Sequence, residues 1–357
     1  MKKLFLILAF LVLVAGIILG NTHYQEKIQL QIQSNPESSQ INSEIIKTNQ
    51  NNFSFSALKT QIKIDSQQLY GYLDVIVGER NSEFDRNYIR NYLVEKLQEF
   101  GYSPALNTFE TGINIWAKRN GNNPDAGSIL IAAHYDTVVN SPGADDNGTG
   151  LAVVLEIARL LANTPTPLSL EIAFFDREET GLQGSFAFTA QTENTEHLKS
   201  VIILDMVGYA CHLSGCQTYP SGLAVQPVLE SAGIESPDQG EFLAVVGEAE
   251  HLELLKIFQN WNKSTINQTA KMPKIVAVPV PFKGVLTPDV LRSDHAAFWY
   301  QGIPAVLVTD TAELRSPHYH QPSDTIDSLD RSFFIGSAQL ILNVTQNLLN
   351  QTPDQTP

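Results

Sequence analysis

"LEIAFFDREETGLQGS", residues 170 to 185, passes from unbroken apolar sequence to paired carboxylates within a few positions. A short, dense apolar run ends at Asp176, and Glu178 and Glu179 follow at once. Such a run, bounded by polar residues, reads as a strand buried on both faces. Three more runs have the same character: "SILIAAH" (128–134), "VIILD" (201–205) and "AVLVTD" (305–310). A strong helical pattern, "GTGLAVVLEIARLLAN", separates the first from the 170–176 run, and a weaker one, "GSFAFTAQTENTEHL", precedes 201–205. Strands alternating with helices predict an α/β fold of three layers, αβα, around a mostly parallel central sheet.

The rest of the chain fits around that frame. Its 357 residues, 43% apolar, suffice for one large domain or two small ones. Lys2 and Lys3 precede an apolar stretch, Leu4 to Leu19, so residues 1–20 read as a secretory signal or a signal-anchor. Either reading places the main domain outside the cytoplasm: secreted, periplasmic, or held at a membrane by the N-terminal segment. Residues 21–57, rich in Asn, Gln, Ser and Glu, read as a flexible tether. A single domain is expected over 58–350, with an irregular insertion around 208–290 and a polar tail at 351–357. Within it, Ile89, Leu93, Leu97 and Phe100 share one face of a helix that Gly101 stops. The segment 333–349 reads as a closing helix. A formal charge of −15 without basic blocks argues against nucleic acid as a partner. Two cysteines exclude a disulfide scaffold. In an exported protein Cys211 and Cys216 would close one small loop, and in a reducing compartment they would stay free thiols.

The polar residues sit where such a sheet would use them. Ligands bind beyond the carboxyl ends of strands in open α/β sheets. His134 ends one run, with Asp136 two residues on; Glu178 and Glu179 follow another; Asp205 ends a third. "GADDNGTG" (143–150) adds Asp145 and Asp146, and "SPHYHQPSDT" (316–325) adds His318 and His320. So many carboxylates at one rim would repel each other without cations. Imidazole and carboxylate donors with no thiolate suit zinc. One bridging aspartate with two further donors per ion would hold two metals, the hydrolytic arrangement. A leftover glutamate would then move protons. Taken singly, each motif has an ordinary reading: a turn for "DDNG", a helix start for "EE", an N-cap for the "SD" at 293–294.

The ordered motifs "HYDTV" (134–138), "PGADDNGTG" (142–150), "EETGLQGS" (178–185), "LDMVGY" (204–209), "SDHAAF" (293–298) and "YHQPSDT" (319–325) resemble those of the co-catalytic zinc aminopeptidases. Bacterial leucine aminopeptidases belong to that group, and glutamate carboxypeptidases and glutaminyl cyclases are related to it. The resemblance covers roughly residues 80 to 345. It implies a zinc aminopeptidase-like (phosphorylase/hydrolase-like) fold, two Zn2+ ions and a peptide substrate cleaved by metal-activated water. His134 and Asp205 would hold one ion, Glu179 and His320 the other, and Asp146, rather than Asp145, would bridge them. Glu178 would be the general base and Asp136 would orient His134. The family pattern makes Asp146–Asn147 a candidate cis peptide. Asp294, His295 and His318 would lie behind the ligands or along the substrate pocket. Other activities in the same superfamily are carboxypeptidase, dipeptidase and glutaminyl cyclase-like acyl transfer. The continuation "TGLQGS" after the glutamate pair favours peptidase over cyclase. A binding module built on a structural metal fits poorly, since structural zinc sites are closed and thiolate-rich.

Overall fold

Four strands lie side by side and parallel, in the order Ser169–Phe175, Ser128–His134, Leu198–Leu204 and Ala305–Thr309, and they set where everything else goes. A computed structural model describes residues 62–220, 225–263 and 272–351 of the chain. The N-terminal segment, the tether and the boundary expected near Leu58 lie outside them. No helix among the described residues is long and apolar enough to cross a membrane.

In chain order the elements are α1 (Ser66–Ile76), α2 (Glu83–Glu99), β1 (Ala105–Phe109), β2 (Gly112–Arg119), β3 (Ser128–His134) and α3 (Gly150–Leu161). Then follow β4 (Ser169–Phe175), α4 (Gln183–Thr189), β5 (Leu198–Leu204), α5 (Gln226–Ala232), β6 (Phe242–Glu248) and α6 (Leu252–Asn260). The last are β7 (Lys274–Val280), α7 (His295–Tyr300), β8 (Ala305–Thr309) and α8 (Arg331–Leu349). The eight strands form one sheet, ordered β1-β2-β4-β3-β5-β8-β6-β7. Its centre is parallel, while β1 pairs antiparallel with β2, β2 with β4, and β6 with β8. The sheet is therefore mixed, with the antiparallel pairings on either side of the parallel centre.

Residues 208–290 differ from the irregular insertion read from sequence. They contain β6 and β7, which extend the sheet, and α5 and α6. "FLAVVGE" is buried along its whole length. "KIVAVPV" carries Pro279 on the outermost strand, where a missing N–H costs no ladder bond. Proline and glycine punctuation around these runs hid their strand character.

The continuous apolar runs follow from burial on both faces. Every residue of β3 and β4 is buried. On one face Leu130, Phe175 and Ile203 pack with Phe188, Phe298 and Trp299. The Phe175, Phe188 and Phe298 rings lie 5.6 to 6.3 Å apart, spacings at which aromatic pairs attract beyond their buried area. α3 and α8 pack against the sheet at β3. Helix ends match their sequence signals: Ser82 caps α2 through Asp85 N, and Asp330 caps α8 through Phe333 N.

Asp176 ends the decisive run and is fully buried. Arg86 Nε lies 2.9 Å from it and Arg90 Nη1 3.6 Å, both from α2. The network ties the β4 end to the helix before the sheet. Asp176→Ala would leave the two buried guanidiniums with Glu83, largely exposed, as their shared carboxylate partner. A loss of about 3–5 kcal/mol is expected, read as a lower urea midpoint with an unchanged slope.

Candidate metal centre

The carboxyl ends of β3, β4, β5 and β8 share one edge of the sheet, and the loops leaving that edge converge. Asp146 is the meeting point. Its Oδ1 lies 3.3 Å from His134 Nε2, which is 3.5 Å from Asp205 Oδ1. Its Oδ2 lies 3.2 Å from His320 Nε2, which is 3.0 Å from Glu179 Oε2. The two oxygens of one carboxylate thus face two separate donor sets. Donors about 2.0–2.2 Å from a tetrahedrally held ion lie about 3.3–3.6 Å from one another. The His134 spacings, 3.3 and 3.5 Å, fall within that range, and the His320 spacings, 3.2 and 3.0 Å, lie just below it. The second oxygen of Glu179, Oε1, is buried without a hydrogen-bond partner, as a group fitted to a cation would be.

Local structure aims each donor. Asp136 sits behind His134, its Oδ1 3.5 Å from Nδ1, which leaves Nε2 to face Asp146. The same carboxylate accepts the backbone N–H of Glu178 at 3.0 Å and of Glu179 at 3.2 Å. One side chain therefore orients groups from two strand ends. Asn147, joined to Asp146 by a cis peptide, donates to Leu204 O at 2.7 Å and accepts from Met206 N at 3.3 Å. It brackets Asp205 on both sides. Arg177, Met206 and His320 are non-glycine residues at positive φ. Each is a donor or adjoins the donors or Glu178, as backbone strain at functional sites leads one to expect. Gly184 completes the turn after the glutamates. A Cβ there would lie 2.3 Å from Asp176 O, so no larger residue is accommodated.

Three groups in this shell carry no role in the sequence reading. Asp324 accepts the N–H of Asp145 at 2.8 Å and of Asp146 at 3.1 Å. Its signal was the spacing His-x-x-x-Asp after His320. Buried Arg80 donates to the carbonyls of Tyr135, Ile76, Gly78 and Pro142 at 2.9–3.0 Å. It also reaches Gly143 O at 3.0 Å and Asp146 O at 3.4 Å. No local pattern marks it, because all its partners are backbone. Buried Asp310, past β8, accepts from Tyr209 N and Ala312 N.

The electrostatics are those of a site short of positive charge. Burial raises Glu178 well above the usual carboxylate range, opposed by the His134 charge and reinforced by Asp205 and Asp294. Burial also pushes Glu179 and Asp294 each up to about 7. Burial alone would lower His134, but Glu178 and hydrogen bonds to Asp136, Asp146 and Asp205 hold it well above its ordinary value. Burial would likewise raise Asp146, and the hydrogen bonds from His134 and His320 pull it below.

The remaining expected residues take varied places. Asp145 accepts from Thr149 Oγ1 and Gly208 N rather than joining the donors. Asp294 begins α7 but does not cap it. His295 Nε2 contacts Val290 O at 2.8 Å, and burial lowers its pKa to about 4, so the ring is neutral. His318 turns to Ser323 Oγ and the Tyr209 ring. Cys211 and Cys216 form a disulfide. A cavity of about 650 Å³ opens onto the donors and runs between β8, β6, β7 and α5. Its apolar wall includes Tyr219, Val228, Phe242, Ala244, Val276 and Leu307.

A family profile described as Peptidase family M28 matches residues 114–235 and 242–345. The uncharacterized protein YfbL of Escherichia coli is 32% identical over 219 residues, 58% of this chain and 62% of that protein. Aminopeptidase YwaD of Bacillus subtilis is 39% identical over 103 residues, 28% of this chain and 22% of that one. The chain thus spans less than two thirds of the length of either relative. The structure of the Legionella pneumophila LapA aminopeptidase superposes with a TM-score of 0.60 at 19% identity, covering 81% of this chain and 73% of that one, a likeness of fold.

Proposed function

The chain belongs to peptidase family M28, and on that premise we propose that it is an exported zinc-dependent exopeptidase, an aminopeptidase releasing N-terminal residues. The catalytic unit is taken as a single domain over 58–350. His134 and Asp205 would hold one ion, Glu179 and His320 the second, and Asp146 both. The observation that carries this reading is the division of Asp146's two oxygens between two donor sets. Zinc in such a site supplies Lewis acidity and lowers the pKa of water.

The chain's own groups do the rest. Glu178 lines the cavity and is buried. It takes the proton of the attacking water and returns it to the departing amine. Asp136 fixes the Glu178 backbone and the His134 ring together, so base and metal donors keep their mutual geometry. The apolar wall receives a substrate side chain and keeps water from the reacting carbonyl. Lys2, Lys3 and the apolar run after them support export.

An aminoacyl-anilide should be hydrolysed by the zinc-loaded protein. Chelation should reduce the rate to background and added zinc should restore it. Pyroglutamate formation from a Gln-peptide, without anilide hydrolysis, would overturn the assignment in favour of a cyclase.

A further inference from the structure

We infer that Arg292 binds the free α-carboxylate of the substrate, so that the enzyme acts on peptides of about two to four residues in preference to long or C-terminally blocked ones. This rests on the peptidase reading and specifies its substrate class. Among the described residues that line the cavity, Arg292 is the one lysine or arginine. It stands among Asp146, Glu178, Glu179, Asp205, Asp289 and Glu313. With Asp146, Glu179 and Asp205 engaged as metal holders, Arg292 is the permanently charged protein cation on the cavity wall that a peptide's own carboxylate can pair with.

The surroundings of Arg292 hold its backbone, while its side chain reaches Tyr319 and Glu313. His295 Nε2 grips Val290 O two residues before it, and buried Asp294 follows two residues after. The side chain itself is half exposed. It donates to Tyr319 Oη at 3.0 Å, and its guanidinium carbon lies 5.9 Å from the centre of that ring. Tyr319 in turn stacks on His320, with centroids 3.8 Å apart and planes 20° apart. The two spacings put the guanidinium within roughly 10 Å of the His320 ring, which is two to three extended residues at about 3.3–3.6 Å each. A terminal carboxylate one to three residues past the scissile bond falls in that range.

Glu313 now pairs with Arg292 across the cavity mouth. Exposed pairs of this kind contribute little, so one carboxylate exchanges readily for another. The guanidinium fork offers two parallel N–H donors to the two oxygens. Tyr319 Oη accepts from Arg292 and keeps its own hydrogen to donate to the same ligand.

The test compares kcat/KM for Leu-Gly-Gly with that for its C-terminal amide, using the zinc-loaded full chain. The wild type should prefer the free acid by about ten- to a hundredfold, as for a hydrogen-bonded charge. In Arg292→Gln the acid-to-amide ratio should fall toward one, chiefly through KM for the acid, and Arg292→Lys should keep part of it. Glu313→Gln removes the competing carboxylate and should lower KM for the acid. A wild-type ratio near one, a ratio unchanged in Arg292→Gln, or a raised KM in Glu313→Gln would overturn the assignment. Cleavage of both peptides at equal rates sinks this inference alone, whereas cleavage of neither sinks the peptidase reading as well.

Discussion

Glu178→Ala should lower kcat by about 10²- to 10⁴-fold, the usual contribution of a positioned general base, while the protein keeps its metal. The expectation comes from position. Glu178 is buried at the cavity wall, beside His134 and Glu179, yet Asp146's two oxygens are already served by other donors. KM should change little, because the glutamate acts on the water rather than on the bound peptide. Metal content measured on the purified variant separates the roles. A variant that loses zinc along with activity would make Glu178 a ligand and leave the reaction without an assigned base.

Asp146→Ala should have the larger effect, with both metal content and turnover falling to background. Both donor sets share this carboxylate, so its removal opens two sites at once. The loss should exceed the roughly 10- to 100-fold typical of a group behind the ligands. Stability offers an independent readout. Zinc at a thousand times its Kd should stabilise the wild type by about 4 kcal/mol through mass action. A melt of Asp146→Ala should show no zinc-dependent rise. A variant that still melts higher with zinc and binds two ions would place the bridging role elsewhere.

How much of this was legible beforehand depends on the range of each interaction. β3 runs from Ser128 to His134 as its apolar run suggested, because a strand buried on both faces must be apolar throughout. β6 and β7 were missed, since short apolar runs between proline and glycine do not separate strand from loop. The antiparallel pairing of β6 with β8 was equally hidden. It brings the start of β6 to the same rim as the end of β8, and so builds the apolar wall. Asp176 read as a strand end and serves as the anchor for Arg86 and Arg90. Asp145 and Asp146 are indistinguishable by residue type. In space one faces Thr149 and the other the metal donors.

The alternation of strand and helix, the polar residues at strand ends and the excess of negative charge that calls for cations are all written along the chain. Those are properties of neighbouring residues, set by side-chain period and composition. Only the tertiary structure decided that Asp146 divides its oxygens between two donor sets, and that Arg80 and Asp324 brace its loop. It also decided that Arg292 lines the same cavity as the donors and pairs there with Glu313. Those partners lie tens to hundreds of positions apart along the chain, and packing alone brings them within hydrogen-bond reach.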